Sequence, residues 1–105
     1  MRARLLATLL LAATATTTVA QEVRLLMPAG GSRGQQVKVL CYGTFLKDVQ
    51  SVVWLREGIE VEKIQAGRAD RVTLHLRIPD TCALGTYMFS LHTARGLTRP
   101  KGFRV

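Results

Sequence analysis

The chain has 105 residues, 48% of them apolar, with 15 Lys and Arg against 7 Asp and Glu, a formal charge of +8. That length supports one small hydrophobic core and leaves no room for a second domain of ordinary size. The cationic surplus favours anionic partners such as acidic glycans, lipid head groups or nucleic acid without choosing among them, and it equally serves solubility and edge protection.

Residues 1–20, MRARLLATLLLAATATTTVA, place Arg2 and Arg4 ahead of an apolar run from Leu5 to Ala13 and end on Thr18-Val19-Ala20. This is the layout of a secretory signal peptide cleaved after Ala20. The run is shorter than the roughly 20 apolar residues that span hydrocarbon. No later segment is a candidate membrane helix, so no transmembrane span is expected after cleavage. Removing 20 of 105 residues leaves residues 21–105, 85 in number, with 15 − 2 = 13 cations against 7 acids, or about +6. The expected location is outside the cell, or in the periplasm or cell envelope.

From residue 22 onward the apolar pattern has a period of two, broken by Gly, Pro or Asp, which predicts an all-β sandwich rather than helices. The first strand is expected at Glu22 to Met27. The stretch PAGGSRGQQVKVLCYG follows, and its glycines invite comparison with a phosphate-binding loop. Such a loop needs Lys and Ser or Thr at a helix N-terminus after its last glycine. Here Gly34 is followed by Gln35-Gln36 and a strand pattern, so the stretch reads as a turn. Strands are then expected at Gln36 to Tyr42, Ser51 to Arg56, Ile59 to Gln65, Arg71 to Ile78, Thr86 to His92 and Gly102 to Val105, seven in all. The sharpest is RVTLHLRI, with Val72, Leu74, Leu76 and Ile78 on one face and Arg71, Thr73, His75 and Arg77 on the other. The same alternation puts Val37, Val39 and Cys41 inward on the second strand and Tyr87, Phe89 and Leu91 inward on the sixth. Trp54 is expected to fill the centre of the core, with Phe103 contributed by the last strand.

Taken in order, PAGGSRGQQVKVLCYGTFL, DVQSVVWLREGIEV, LRIPDTCALGTYMFSLHTARGLT and FRV resemble the immunoglobulin-like, IPT/TIG-related module of large exported bacterial proteins that often carry pre-peptidase C-terminal-type domains. The resemblance rests on Pro28, Arg33-Gly34, Gly43, Leu46, Asp48, Gly58-Ile59, Pro79-Asp80, Leu84-Gly85, Thr93-Ala94, Gly96, Phe103 and Val105. It implies an early-set immunoglobulin-like sandwich of about seven short antiparallel strands that serves as a spacer, adhesive or recognition unit without catalysis. Tyr87, two residues after Gly85, also looks like the tyrosine corner of immunoglobulin domains. Phe89 stands where the antibody pattern has its second Cys, which excludes an antibody-type core disulfide.

Cys41 and Cys82 are the only cysteines. An even count in an exported chain favours a bridge. In an immunoglobulin-like topology, however, the offset between the end of the second strand and the start of the sixth separates them by roughly 20 Å, against the roughly 7 Å that a disulfide allows between Cα atoms. Both outcomes stay open from sequence.

No catalytic pattern is visible. Ser32, Ser51 and Ser90 lie outside any Gly-x-Ser-x-Gly setting, and His75 and His92 fall on outward positions of different strands. The cysteines and histidines lack metal-ligand spacing, and no calcium loop is present. No enzyme activity, metal or cofactor is expected. Nucleic acid is disfavoured, because the aromatic residues are assigned to the core rather than interleaved with cations. Two surfaces remain. Lys38, Arg71, His75 and Arg77 form a possible face for an anionic polysaccharide or acidic protein. Val53, Leu55 and Met88 form a possible apolar contact patch on the other sheet. The expected function is a non-catalytic exported interaction or structural module. The alternative is a small free secreted inhibitor or effector acting through loops such as Ala66 to Asp70 or Thr93 to Thr98, and a minimal hydrolase comes last. Ligand and oligomeric state are not legible.

Overall fold

The computed structural model describes residues 22–105; the expected signal peptide, residues 1–20, lies outside them. Eight strands follow one another among the described residues: β1 Glu22–Met27, β2 Gln36–Thr44, β3 Ser51–Trp54, β4 Glu60–Arg68, β5 Arg71–Arg77, β6 Thr86–Thr93, β7 Gly96–Leu97 and β8 Lys101–Arg104. One sheet has the order β1-β2-β5-β4; in the other β6 is central, with β3 on one side and β7 and β8 on the other. All strand pairs are antiparallel. With β7 and β8 sharing one edge, this is the strand order of a constant-type immunoglobulin sandwich. The expected all-β, immunoglobulin-like architecture is therefore the observed one, with one short strand more than the seven expected.

The pleat explains the packing. On β5, Val72, Leu74 and Leu76 are 0–1% exposed, while Arg71, Thr73 and His75 between them are half-buried and Arg77 is exposed. Val37, Val39 and Cys41 of β2 lie against them in register, and Tyr87, Phe89, Leu91 and Phe103 come from the facing sheet into the same cluster. Burying each such side chain stabilises the fold by roughly 1.5–3 kcal/mol.

The connections are tied to the sheets. Gly34, at φ 77, closes the turn into β2, and its N–H donates to the Ile78 carbonyl at 2.6 Å. Residues after the cis Met27–Pro28 bond cross to the second sheet, where Gly30 bridges Arg104 in parallel. Lys101 Nζ donates back to the Arg24 carbonyl at 2.9 Å, so β8 also grips the β1 edge.

Trp54 departs from expectation. It is half-buried, its ring tilted at 51° against Phe89 with centroids 5.1 Å apart, and its Nε1 is buried without a partner. The reason is position: β3 is a four-residue edge strand, and the centre is filled by β6 and Phe103. The strand expected to reach Arg56 ends at Trp54, because Arg56 turns away to stack on Tyr87.

Cys41 and Cys82 are both buried free thiols. Burial pushes the Cys41 thiol up to about 12, from an ordinary 9.0. The unfolded chain thus ionises first as pH rises, so the stability is complete below pH 9 and is lost between 9 and about 12. Between pH 8 and pH 10 this costs about 1.4 kcal/mol. A Cys41→Val variant is expected to escape that loss, and urea unfolding of both proteins at the two pH values checks it.

Candidate functional site

Three groups of side chains stand outside the core. The first is the loop end, where residues 45–50 between β2 and β3, the β4–β5 turn at residues 69–70 and the β6–β7 hairpin at residues 94–95 converge. Leu46 N–H donates to the Ala69 carbonyl and Gly43 N–H to the Asp70 carbonyl, both at 2.9 Å. Gln50 N–H donates to the His92 carbonyl at 2.8 Å. Thr93, buried, fixes the hairpin: its hydroxyl accepts from Arg95 N–H at 3.1 Å and donates to the Gly96 carbonyl at 3.2 Å.

Between these anchors Phe45 adopts φ 58, the only positive φ at a non-glycine among the described residues. A bulky side chain in the left-handed region costs of order 1–3 kcal/mol and persists only where its surroundings impose it. Here the anchors on Gly43 and Leu46 impose it, and the ring is held outside the core. The Arg95 guanidinium lies 3.9 Å from the ring centroid. Beside them is an open recess of about 520 Å³, lined by Phe45, Lys47, Asp48, Gly67, Ala69 and Arg95. At Gly67, φ 135, a Cβ would meet nothing within 4 Å, so no side chain intrudes. The two loops singled out in the sequence, Ala66 to Asp70 and Thr93 to Thr98, thus meet at one site. Sequence reading missed Phe45, since nothing marks a phenylalanine for a positive φ.

The second group is the outer face of β1-β2-β5-β4. Lys38 lies opposite His75, Gln36 opposite Arg77 and Tyr42 opposite Arg71. The structure therefore brings Lys38, Arg71 and His75 onto one face, but Arg77 is engaged: its Nη1 sits 3.3 Å from Glu60 Oε1. His75 Nε2 pairs with Gln65 Oε1 at 2.6 Å. Leu25 and Met27 are 49% and 54% exposed at the β1 margin, an apolar strip that sequence reading did not single out.

The third group is the opposite end and the second sheet. Val53, Leu55 and Met88 are 39%, 67% and 37% exposed, joined by Leu97 at 56%. Their face is as expected, with Leu97 added by the short strand β7. At the end of the sandwich, Tyr87 is fully buried and makes the corner: its hydroxyl donates to the Ala83 carbonyl at 2.6 Å and receives the Cys82 thiol at 3.1 Å. The hydrogen bond from Cys82, then burial, raise the phenol above its ordinary value. The Arg56 guanidinium caps the ring at 4.4 Å. An open recess of about 620 Å³ beside it is lined by Trp54, Glu57, Glu60, Thr81 and Cys82 among others.

Among the described residues no group of three or more His, Cys, Asp or Glu is placed to hold a metal ion, and no helix is long and apolar enough to cross a membrane. The chain matches no protein-family model, and no curated protein matches it significantly in sequence.

Replacing Tyr87 by Phe keeps the ring and removes the corner, leaving the Ala83 carbonyl and Cys82 thiol only their longer contact with each other at 3.6 Å. Loss of a buried hydrogen bond of this kind costs about 1–3 kcal/mol. The expected result is a lower urea midpoint with unchanged slope.

Proposed function

We infer that this protein is a non-catalytic interaction module exported to the cell envelope or beyond, which engages a partner protein through the loop end. The carrying observation is Phe45, held at a positive φ beneath Arg95 at the mouth of an apolar recess. Conformational cost at a half-buried ring outside the core points to recognition rather than packing, because packing alone is served better by a ring inside. A guanidinium held over an aromatic ring, here 3.9 Å from its centroid, still has N–H donors for a carboxylate or carbonyl. In immunoglobulin sandwiches the loops at one end of the sheets serve recognition, and the resemblance to the IPT/TIG-related modules supports the same reading. Export is supported by the residue 1–20 pattern.

A second reading, a free secreted effector using the same loop end, is favoured by the meeting of residues 66–70 and 93–98 at one recess. The two readings share the site and differ in attachment: the first predicts a surface-bound or larger polypeptide, the second a free chain of residues 21–105.

A photo-crosslinking residue at position 69 in the native host tests both. Expected are a single dominant crosslinked species from the envelope or culture fluid, its loss on Arg95→Ala, and an intact mass that begins at Gln21. Crosslinks arising equally from position 69 and from a distant surface position, or an unprocessed cytosolic chain, would overturn the reading.

A further inference from the structure

We propose that the outer face of the β1-β2-β5-β4 sheet binds a linear acidic polysaccharide through two cross-strand rows of basic residues, Lys38–His75–Lys63 and Arg71–Arg68. The first row is a direct ladder: Lys38 lies opposite His75 on β5, and His75 lies opposite Lys63 on β4. The second row places Arg71 opposite Arg68. This surface is separate from the loop-end reading above and requires only the sandwich.

Like charges directly opposite one another on antiparallel strands are destabilising, and Arg68 and Arg71 stand so. Two arginines of this face are neutralised, Arg77 by Glu60 at 3.3 Å and Arg68, in the second row, by Asp70 at 3.4 Å. Glu62, the remaining carboxylate beside the ladder, accepts from Gln36 Nε2 at 3.3 Å. Lys38, Lys63 and Arg71 have no carboxylate within 4.0 Å among the described residues, and both lysines are exposed. The face therefore carries three cations, Lys38, Lys63 and Arg71, with no carboxylate partner of their own, and an external polyanion would supply one.

The spacing selects the kind of polyanion. His75 and Arg71 are four residues apart on β5, which separates the rows by roughly 13 Å. Between them runs the neutral row Leu40–Thr73–Gln65, which offers the Thr73 hydroxyl, while the Gln65 amide oxygen is held by His75 Nε2 at 2.6 Å. A shallow dent of about 220 Å³ beside Lys38 and His75 is lined also by Gln36 and Glu62. Charged groups at intervals with hydroxyls between them match a uronate- or sulfate-bearing glycan. A single-stranded nucleic acid would call for several exposed aromatic rings among the cations, and this face has only Tyr42. A bilayer would call for apolar side chains interleaved with the cations, whereas Leu25 and Met27 lie on β1, at the margin opposite β4.

The test is salt-gradient elution of the chain from residue 21 to 105 on immobilised heparin and immobilised alginate, with equilibrium binding to each. Wild type is expected to be retained, with affinity falling as salt rises. Lys38→Glu/Lys63→Glu should weaken binding at least about tenfold, the sum of two partly exposed charge contacts and their reversal. Arg33→Glu/Arg99→Glu makes the same change in net charge at exposed sites off this face and should stay within about twofold. A Lys63→Gln variant should unfold at the wild-type temperature, since Lys63 is exposed and has no carboxylate partner among the described residues, and yet bind more weakly; this separates lost binding from lost folding. Equal losses in the two double variants, no loss in the ladder variant, or equally tight ladder-dependent binding of single-stranded DNA or phosphatidylglycerol vesicles would overturn the proposal.

Discussion

Strand β6 is the element on which the rest of the sandwich depends. It is the only strand with partners on both sides in its sheet, β3 along one edge and β7 and β8 along the other. Its inward side chains Tyr87, Phe89, Leu91 and Thr93 are 0–1% exposed, and they meet the inward residues of β2 and β5 across the core. Without it the second sheet has no centre and the first has nothing to cover its apolar face. The flanking links follow from that role. The Tyr87 hydroxyl fixes the loop entering β6, and the Thr93 hydroxyl fixes the hairpin leaving it.

The balance of magnitudes explains how the surface can carry arrangements that do not stabilise it. Each buried side chain on β5 contributes roughly 1.5–3 kcal/mol, whereas a cross-strand charge pair is worth roughly 0.2–1 kcal/mol either way. The inner faces therefore set the register, since a slip of one residue would carry Val72, Leu74 and Leu76 to solvent. Once the register is set, the outer residues meet whatever neighbours it assigns, including Lys38, His75 and Lys63 in one line. Cations left without partners outside are tolerated by a strong core inside. The strained backbone at Phe45 is carried in the same way, by anchors on either side that belong to the strands.

What was legible in the sequence follows the same division. Alternation revealed β2, β5 and β6, because a strand with one wet and one dry face writes its pleat into the residue order. It also separated the apolar face of Val53, Leu55 and Met88 from the core. Strand β7 escaped because two residues carry no period. Trp54 was assigned to the centre because size suggests depth, whereas an edge strand of four residues holds even its inward side chains near solvent. Lys63 escaped for a more specific reason. Strict alternation from Glu60 turns Glu62 outward and Lys63 inward, but the irregularity between Val61 and Lys63 shifts the phase of β4 and sets Lys63 opposite His75. The cationic face was thus half visible: its β2 and β5 members could be read, and its β4 members depended on a bulge.

Two of the three surfaces outside the core meet at one turn. Gly67 and Ala69 line the loop-end recess, while Arg68 between them belongs to the cationic row with Arg71. Asp70 closes the turn by pairing with Arg68 at 3.4 Å and by accepting Gly43 N–H at 2.9 Å through its carbonyl. An anion that drew Arg68 away from Asp70 would act on the same turn that supports Leu46 and, through it, the backbone of Phe45. The Arg68–Asp70 pair is exposed, with side chains 64% and 65% accessible, so little energy holds it and little is needed to exchange it. The sheet face and the loop-end recess thus share one short stretch of chain, with Arg68 facing Arg71 on the sheet while Gly67 and Ala69 line the recess.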